Sequence, residues 1–212
     1  MLNVLARVRI NRVTDPIGRW LVGHGVAPDV VTVVGTVGTV AAALWFLPRD
    51  QLFVGTVVVT VFVLFDLIDG AMARARGHGT PFGAVLDSTC DRVADGAVFA
   101  AITWWCLGVG DQRLLGVAAL VCLVAGQLVS YIKARAEGAG LSADGGLVER
   151  AERLIVALVG TGLHGLGVPY ALPVALCVLA VASVWTVGQR ILAVYRSAQA
   201  VASDSADPAP GP

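Results

Sequence analysis

Residues 66–91 read DLIDGAMARARGHGTPFGAVLDSTCD, four aspartates set between two long apolar runs. Asp66 and Asp69 are three apart and Asp87 and Asp91 four apart. On helices each pair therefore shares one face. Gly70, Gly77, Gly79, Pro81 and Gly83 lie between the pairs, a tight connection that lets two neighbouring helices oppose each other. A buried aspartate near the middle of a bilayer costs roughly 2.5–3.5 kcal/mol, so four cost on the order of 10 kcal/mol before mutual repulsion. Protonation, a water-filled cavity or bound cations would relieve that cost. Oxygen-only donors suit Mg²⁺, Mn²⁺ or Ca²⁺, and a metal is the first reading.

The surroundings of this stretch are those of a polytopic membrane protein. Of 212 residues, 57% are hydrophobic and 14% charged, with mean hydropathy +0.78. This is far more apolar than an ordinary soluble domain. Cys90, Cys106, Cys122 and Cys177 fall inside apolar segments without a CxxC pair and read as small buried apolar residues. No nucleic-acid partner is expected.

Arg7, Arg9, Arg12 and Arg19 interleave with apolar residues in the first segment, 1–24. That pattern predicts an amphipathic helix on an anionic membrane surface, bent near Pro16. Six spans are expected within 25–197, over about 29–47, 52–73, 81–107, 113–135, 150–166 and 170–193. Each approaches the ~20 residues that cross ~30 Å of hydrocarbon. Gly35 and Gly38 mark a helix-packing face on the first span. Residues 198–212 are expected to form a disordered tail. Trp45, Trp104, Trp105, Trp185, Tyr170 and Tyr195 lie near span ends and read as interface anchors. Of the fifteen Lys and Arg, all but Arg49, Arg113 and Arg92 fall on the side of the N-terminus. That bias puts both termini and the aspartates in the cytoplasm, with the bilayer being the cell membrane.

Carboxylates with divalent metal beside fixed positive charge would receive a phosphate-bearing group. Lys133, Arg135, Arg153 and Arg190 read as a second anion site, for a phosphorylated acceptor. Intramembrane acids also mark cation transporters, but those sit near the midplane, and here the acids lie at helix ends beside arginines.

The pattern Asp66-x2-Asp69-Gly70-x2-Ala73-Arg74-x8-Gly83-x3-Asp87-x3-Asp91 resembles the signature of the CDP-alcohol phosphotransferases at every fixed position. The resemblance implies an all-α integral membrane fold, six transmembrane helices with an N-terminal amphipathic helix, and a homodimer. It implies transfer of a phosphatidyl group from CDP-diacylglycerol to an alcohol with Mg²⁺ or Mn²⁺, two ions per subunit. Asp66, Asp69, Asp87 and Asp91 match the metal ligands, and Asp91 also the residue that takes the acceptor proton. Gly70, Ala73, Arg74 and Gly83, with Asp29 and Thr32 near the start of the first span, match the CDP-lipid site; the family often carries Asn where this chain has Asp29. Tyr131–Glu137 and the run Gly145-Gly146-Leu147-Val148-Glu149-Arg150-Ala151-Glu152-Arg153, with Gln189-Arg190, are similar to the actinobacterial branch that takes inositol 1-phosphate. The alternative is the branch that takes glycerol 3-phosphate. Asp95 reads as a structural polar residue outside the signature, His78 as a solvated loop residue, and Glu149 and Glu152 as groups that orient Arg150 or Arg153.

Overall fold

The computed structural model describes residues 14–77 and 79–206; the expectations for residues 1–13, His78 and 207–212 lie outside them. The described residues are mostly helical, without a strand, as the all-α reading requires. Helix α1 covers 14–23 and places Pro16 in its first described turn, without a break after it. There follow α2 (Pro28–Phe46), a 3₁₀ turn at Leu47–Arg49, α3 (Leu52–Val63), α4 (Phe65–Ala75) and α5 (Pro81–Leu107). The chain ends with α6 (Arg113–Gly138), α7 (Arg150–Gly165) and α8 (Ala171–Ala206).

Local chemistry sets these boundaries. Pro28 and Pro81 open α2 and α5, where a missing N–H is no loss and φ is already helical. Thr80 caps α5, its Oγ1 accepting from the Gly83 N–H at 2.9 Å. Asp50 takes the left-handed conformation, φ 64°, and turns the chain from α2 into α3. The polar tail expected from 198 begins as helix, because α8 runs to Ala206. Its residues there are mostly Ala, Val, Ser and Gln, and proline first returns at Pro208.

Four helical stretches are long and apolar enough to cross a membrane: Pro28–Arg49, Leu52–Ala75, Arg113–Gly138 and Ala171–Ser203. The other two expected spans fall short for definable reasons. The 27 residues of α5 include Asp87, Asp91, Arg92 and Asp95. The 16 residues of α7 reach about 24 Å against a ~30 Å hydrocarbon core. Both are packed between neighbours. The helices close a circuit in which α2 packs on α5, α5 on α6, α6 on α8, α8 on α7, α7 on α3 and α3 on α2.

The apolar core occupies the half of this circuit away from the aspartates. It is built from Leu47, Val59, Val98, Phe99, Ile102, Leu154, Leu172, Leu176 and their neighbours. The four cysteines are free thiols, with Cys106 and Cys122 in the core. Trp105 departs from its expected place at an interface. It is 4% exposed, and its Nε1–H donates to Asp50 Oδ1 at 2.7 Å, because a buried indole needs an acceptor. Trp45, Trp104, Trp185, Tyr170 and Tyr195 are exposed.

Small residues let the helices close on one another. A Cβ at Gly38 would collide with the Phe62 ring, and one at Gly35 would stand 2.9 Å from Phe65 Cβ, so the glycine face of α2 receives α3 and α4. On α1, Gly18 lies against the Ala71–Met72 backbone of α4, while Trp20 and Ile17 stay exposed. Gly160 of α7 is buried directly against Ala175 Cβ of α8. Replacing Gly160 with Ala should gain up to ~1 kcal/mol in helix propensity but cost about 1–3 kcal/mol in overpacking. The expected outcome for Gly160→Ala is a lower Tm in detergent, read by a thermal-shift assay.

Candidate active site

Asp66 and Asp69 of α4 and Asp87 of α5 each offer an oxygen, and those oxygens lie within 4.8 Å of one another. The packing explains it: α4 and α5 both pack on α2, where Thr32 meets Asp69 and Asp29 lies beside Gly83. Asp69 is 6% exposed and accepts from Thr32 Oγ1 of α2 at 2.6 Å. Three clustered carboxylates, with no nitrogen or sulfur donor in the group among the described residues, suit a hard divalent cation, so the residues present fit the implied metal.

Asp91, expected as a fourth ligand, stands outside this close cluster. Its Oδ1 accepts from Arg150 Nη2 at 2.8 Å, and its Oδ2 lies 3.7 Å from Arg92 Nη2. Arg150 enters from the first turn of α7. It also reaches Asp66 Oδ2 at 3.3 Å through Nη1 and Asp95 Oδ1 at 3.2 Å through Nε. Asp91 still lines one small cavity with Asp66, Asp69 and Arg150.

A cavity of about 240 Å³ opens on the other side of the cluster. Asp29, Thr32, Gly70, Ala73 and Gly83 line it together with Asp69 and Asp87, which brings together five of the six residues expected at the CDP-lipid site. A Cβ at Gly70 would meet only Arg74 Nη1 at 3.6 Å, so packing within the protein does not demand glycine there. A Cβ at Gly83 would stand 3.0 Å from Thr80 Oγ1 and 3.3 Å from Asp29 Oδ1. Arg74 does not line this cavity and pairs with Asp15 of α1 at 3.0 Å. Arg76 lines it instead and donates to the Val26 carbonyl at 2.9 Å. A larger groove of about 610 Å³ on α6 and α8, lined by Val181, Val184, Trp185 and Leu192, carries no charged side chain and is remote from this chemistry.

The four expected acceptor-site cations divide into two kinds. Arg153 and Arg190 are buried, 2% and 5% exposed. Lys133, 3.8 Å from Glu137, and Arg135 are exposed near the end of α6. Arg153 packs on Gly126, where a Cβ would come within 2.9 Å of its guanidinium carbon. Arg190 Nη1 donates to the Val129 carbonyl at 3.4 Å. Residues 126, 129 and 133 follow one face of α6, so Arg153, Arg190 and Lys133 line up along it. Arg153 Nε and Nη1 and Arg190 Nε are buried without a hydrogen-bond partner among the described residues. Buried cationic N–H groups of this kind are costly unless an anion meets them.

Asp95 is 5% exposed and pairs with Arg92, Arg150 and Arg153 at 3.7, 3.2 and 3.5 Å. The carboxylates that orient Arg150 and Arg153 among the described residues are thus those of α4 and α5, in place of Glu149 and Glu152. Arg150 and Arg76 are the site residues that sequence reasoning missed. The signal for Arg150 was its spacing of three from Arg153 on one helix, which puts both on one face.

The profile of the CDP-alcohol phosphatidyltransferase family matches residues 25–194. The chain belongs to this family. The transferase is 54% identical over 196 residues to a phosphatidylinositol phosphate synthase of Mycobacterium marinum, covering 91% of this chain and 84% of that one. It is 52% identical over 203 residues to the enzyme of that name from Mycobacterium tuberculosis, covering 94% of each. A crystal structure of the Mycobacterium tuberculosis phosphatidylinositol phosphate synthase with CDP-DAG bound superposes with TM-score 0.84 at 53% identity, covering 88% of this chain and 95% of that one. Another, in complex with manganese and citrate, also gives 0.84 at 53% identity, over 87% and 90%. For this transferase, Thr32→Val should weaken Mn²⁺ binding by about ten-fold, the usual effect of losing a group that orients a metal ligand. Electron paramagnetic resonance of free Mn²⁺ reads it directly.

Proposed function

We propose that the protein transfers the phosphatidyl group of CDP-diacylglycerol to a hydroxyl of inositol 1-phosphate, forming phosphatidylinositol phosphate and releasing CMP. One observation carries this reading: the carboxylate cluster has the 240 Å³ cavity on one side and buried, under-bonded arginines on the other. The names of the relatives at 52–54% identity support inositol 1-phosphate as the acceptor.

Asp66, Asp69 and Asp87 would hold the divalent metal, Mg²⁺ or Mn²⁺ and two ions in this reading, with Asp91 beside them. When bound, the metal supplies positive charge against the pyrophosphate oxygens. Asp29, Thr32, Gly70, Ala73 and Gly83 hold the CDP part, and Gly70 lets it approach the α4 backbone. Arg153 and Arg190, with Lys133 and Arg135 at the entrance, hold the acceptor's phosphate and so orient its hydroxyl. Asp91 stands between the two sides and receives the hydroxyl proton. The acceptor oxygen bonds to the lipid-side phosphorus while the bond to the CMP oxygen breaks. No side chain becomes covalently attached.

The same reading sets the protein in the cell membrane. Six spans cross it, α3 and α4 together making one and α5 and α7 included, α1 lies along the inner surface, and the site and both termini are cytoplasmic. Two copies form a homodimer.

Headgroup-resolved product analysis of purified protein tests the assignment. Incubation with CDP-diacylglycerol, Mg²⁺ and both acceptors should yield phosphatidylinositol phosphate as the main product. A preference for glycerol 3-phosphate would overturn the choice of acceptor. Asp91→Asn should lower CMP release by roughly 100-fold or more, the range for loss of a proton acceptor, while CDP-lipid binding persists. Retention of most activity would remove Asp91 from that role.

A further inference from the structure

Arg150 is placed oddly for an arginine that serves only packing or an acceptor. Its three nitrogens are spread over three carboxylates: Nη2 on Asp91 at 2.8 Å, Nε on Asp95 at 3.2 Å and Nη1 on Asp66 at 3.3 Å. Asp66 belongs to the three-carboxylate cluster, so a fixed positive charge already occupies part of the field that a divalent ion would use. Asp95 differs from the other two partners. It is buried and lies one turn beyond Asp91 on α5. Asp95 also meets Arg92 and Arg153, yet Nε of each has no hydrogen-bond partner among the described residues. One buried carboxylate thus serves three guanidinium groups at once.

We infer that Arg150 is an internal competitor of the divalent cation, and that Asp95 sets the strength of that competition by holding the Nε edge of the guanidinium. With Nε held, only part of the charge bears on Asp66 and Asp91. Without Asp95, the fork has only those two carboxylates to satisfy it, and both lie on the metal side. Asp95 is thus a positioning residue that acts through Arg150. The linkage is reciprocal: a ligand that draws Arg150 off Asp66 tightens metal binding by the factor by which the metal tightens that ligand.

This inference rests on Asp66, Asp69 and Asp87 being the divalent-ion ligands. The test is Mn²⁺ affinity by electron paramagnetic resonance in detergent, at fixed ionic strength, with neither CDP-lipid nor acceptor present. Arg150→Gln should tighten Mn²⁺ on the order of ten-fold, within the usual range of coupling between sites. Asp95→Asn should weaken it several-fold, and in the Arg150→Gln background the same change should have little effect. Equal weakening in both backgrounds would mean that Asp95 acts by its charge alone, and would overturn the inference. If Asp95→Asn does not fold, Arg150→Gln decides: tighter Mn²⁺ supports competition, and unchanged or weaker Mn²⁺ overturns it. Failure of the unsubstituted protein to bind Mn²⁺ would instead remove the metal assignment, and the inference with it.

Discussion

Charge balance at one end of an apolar bundle is the constraint on which the rest of the structure depends. Two unit charges about 5 Å apart repel by roughly 3 kcal/mol at an effective dielectric near 20. Three carboxylates within 4.8 Å therefore carry repulsion on the order of 10 kcal/mol when all are ionised, comparable to the net stability of a whole domain. Arg150, contributed from 84 residues further along the chain than Asp66, offsets part of that. The first turn of α7 must consequently reach the cluster. Further along the same helix, Gly160 and Gly162 let it close on α8 and α3.

The helix α5 shows how polar chemistry and apolar packing are kept apart on one element. Its first half carries Asp87, Asp91, Arg92 and Asp95, and its second half carries Val98, Phe99, Ile102 and Trp105 in the core. At the far end, Trp105 is fixed by Asp50 and stacks edge-on against His164 at 5.3 Å. The packed half anchors the helix at a distance from the acids. The acidic half can then be held by ion pairs and hydrogen bonds instead of apolar contacts. Sites built on helices in this way keep their geometry better than sites on loops.

Local information made much of this legible in the sequence. Asp66 and Asp69 share a face because a spacing of three selects one, and Pro28 and Pro81 mark helix starts by their backbone chemistry. Gly35 and Gly38 read correctly as a packing face for the same reason. What the sequence hid was long-range pairing. Nothing local says that Arg74 meets Asp15, that Arg150 meets Asp66, Asp91 and Asp95, or that Trp105 turns inward to Asp50. The span count was less legible for a related reason. Hydropathy scores a helix against lipid, whereas the charges of α5 are answered by α7 and its apolar half by α2 and α6.

The same division separates the site into two halves. Asp66, Asp69, Asp87 and the cavity with Asp29, Gly70 and Gly83 belong to α2, α4 and α5. Arg153, Arg190 and Lys133 belong to α6, α7 and α8. Asp91 and Asp95 stand on the seam, each bonded to Arg150 from the second half. An in-line displacement needs its entering and leaving oxygens on opposite sides of one phosphorus. In the proposed reading, a site assembled across two packed halves would meet that need without a covalent relay, each half orienting one partner. The seam is then where the reacting atoms would meet, and it is also where the described structure concentrates its ion pairs. A helix pair that carried both ligand sites on one face would orient the two partners side by side, a geometry that favours binding but not displacement.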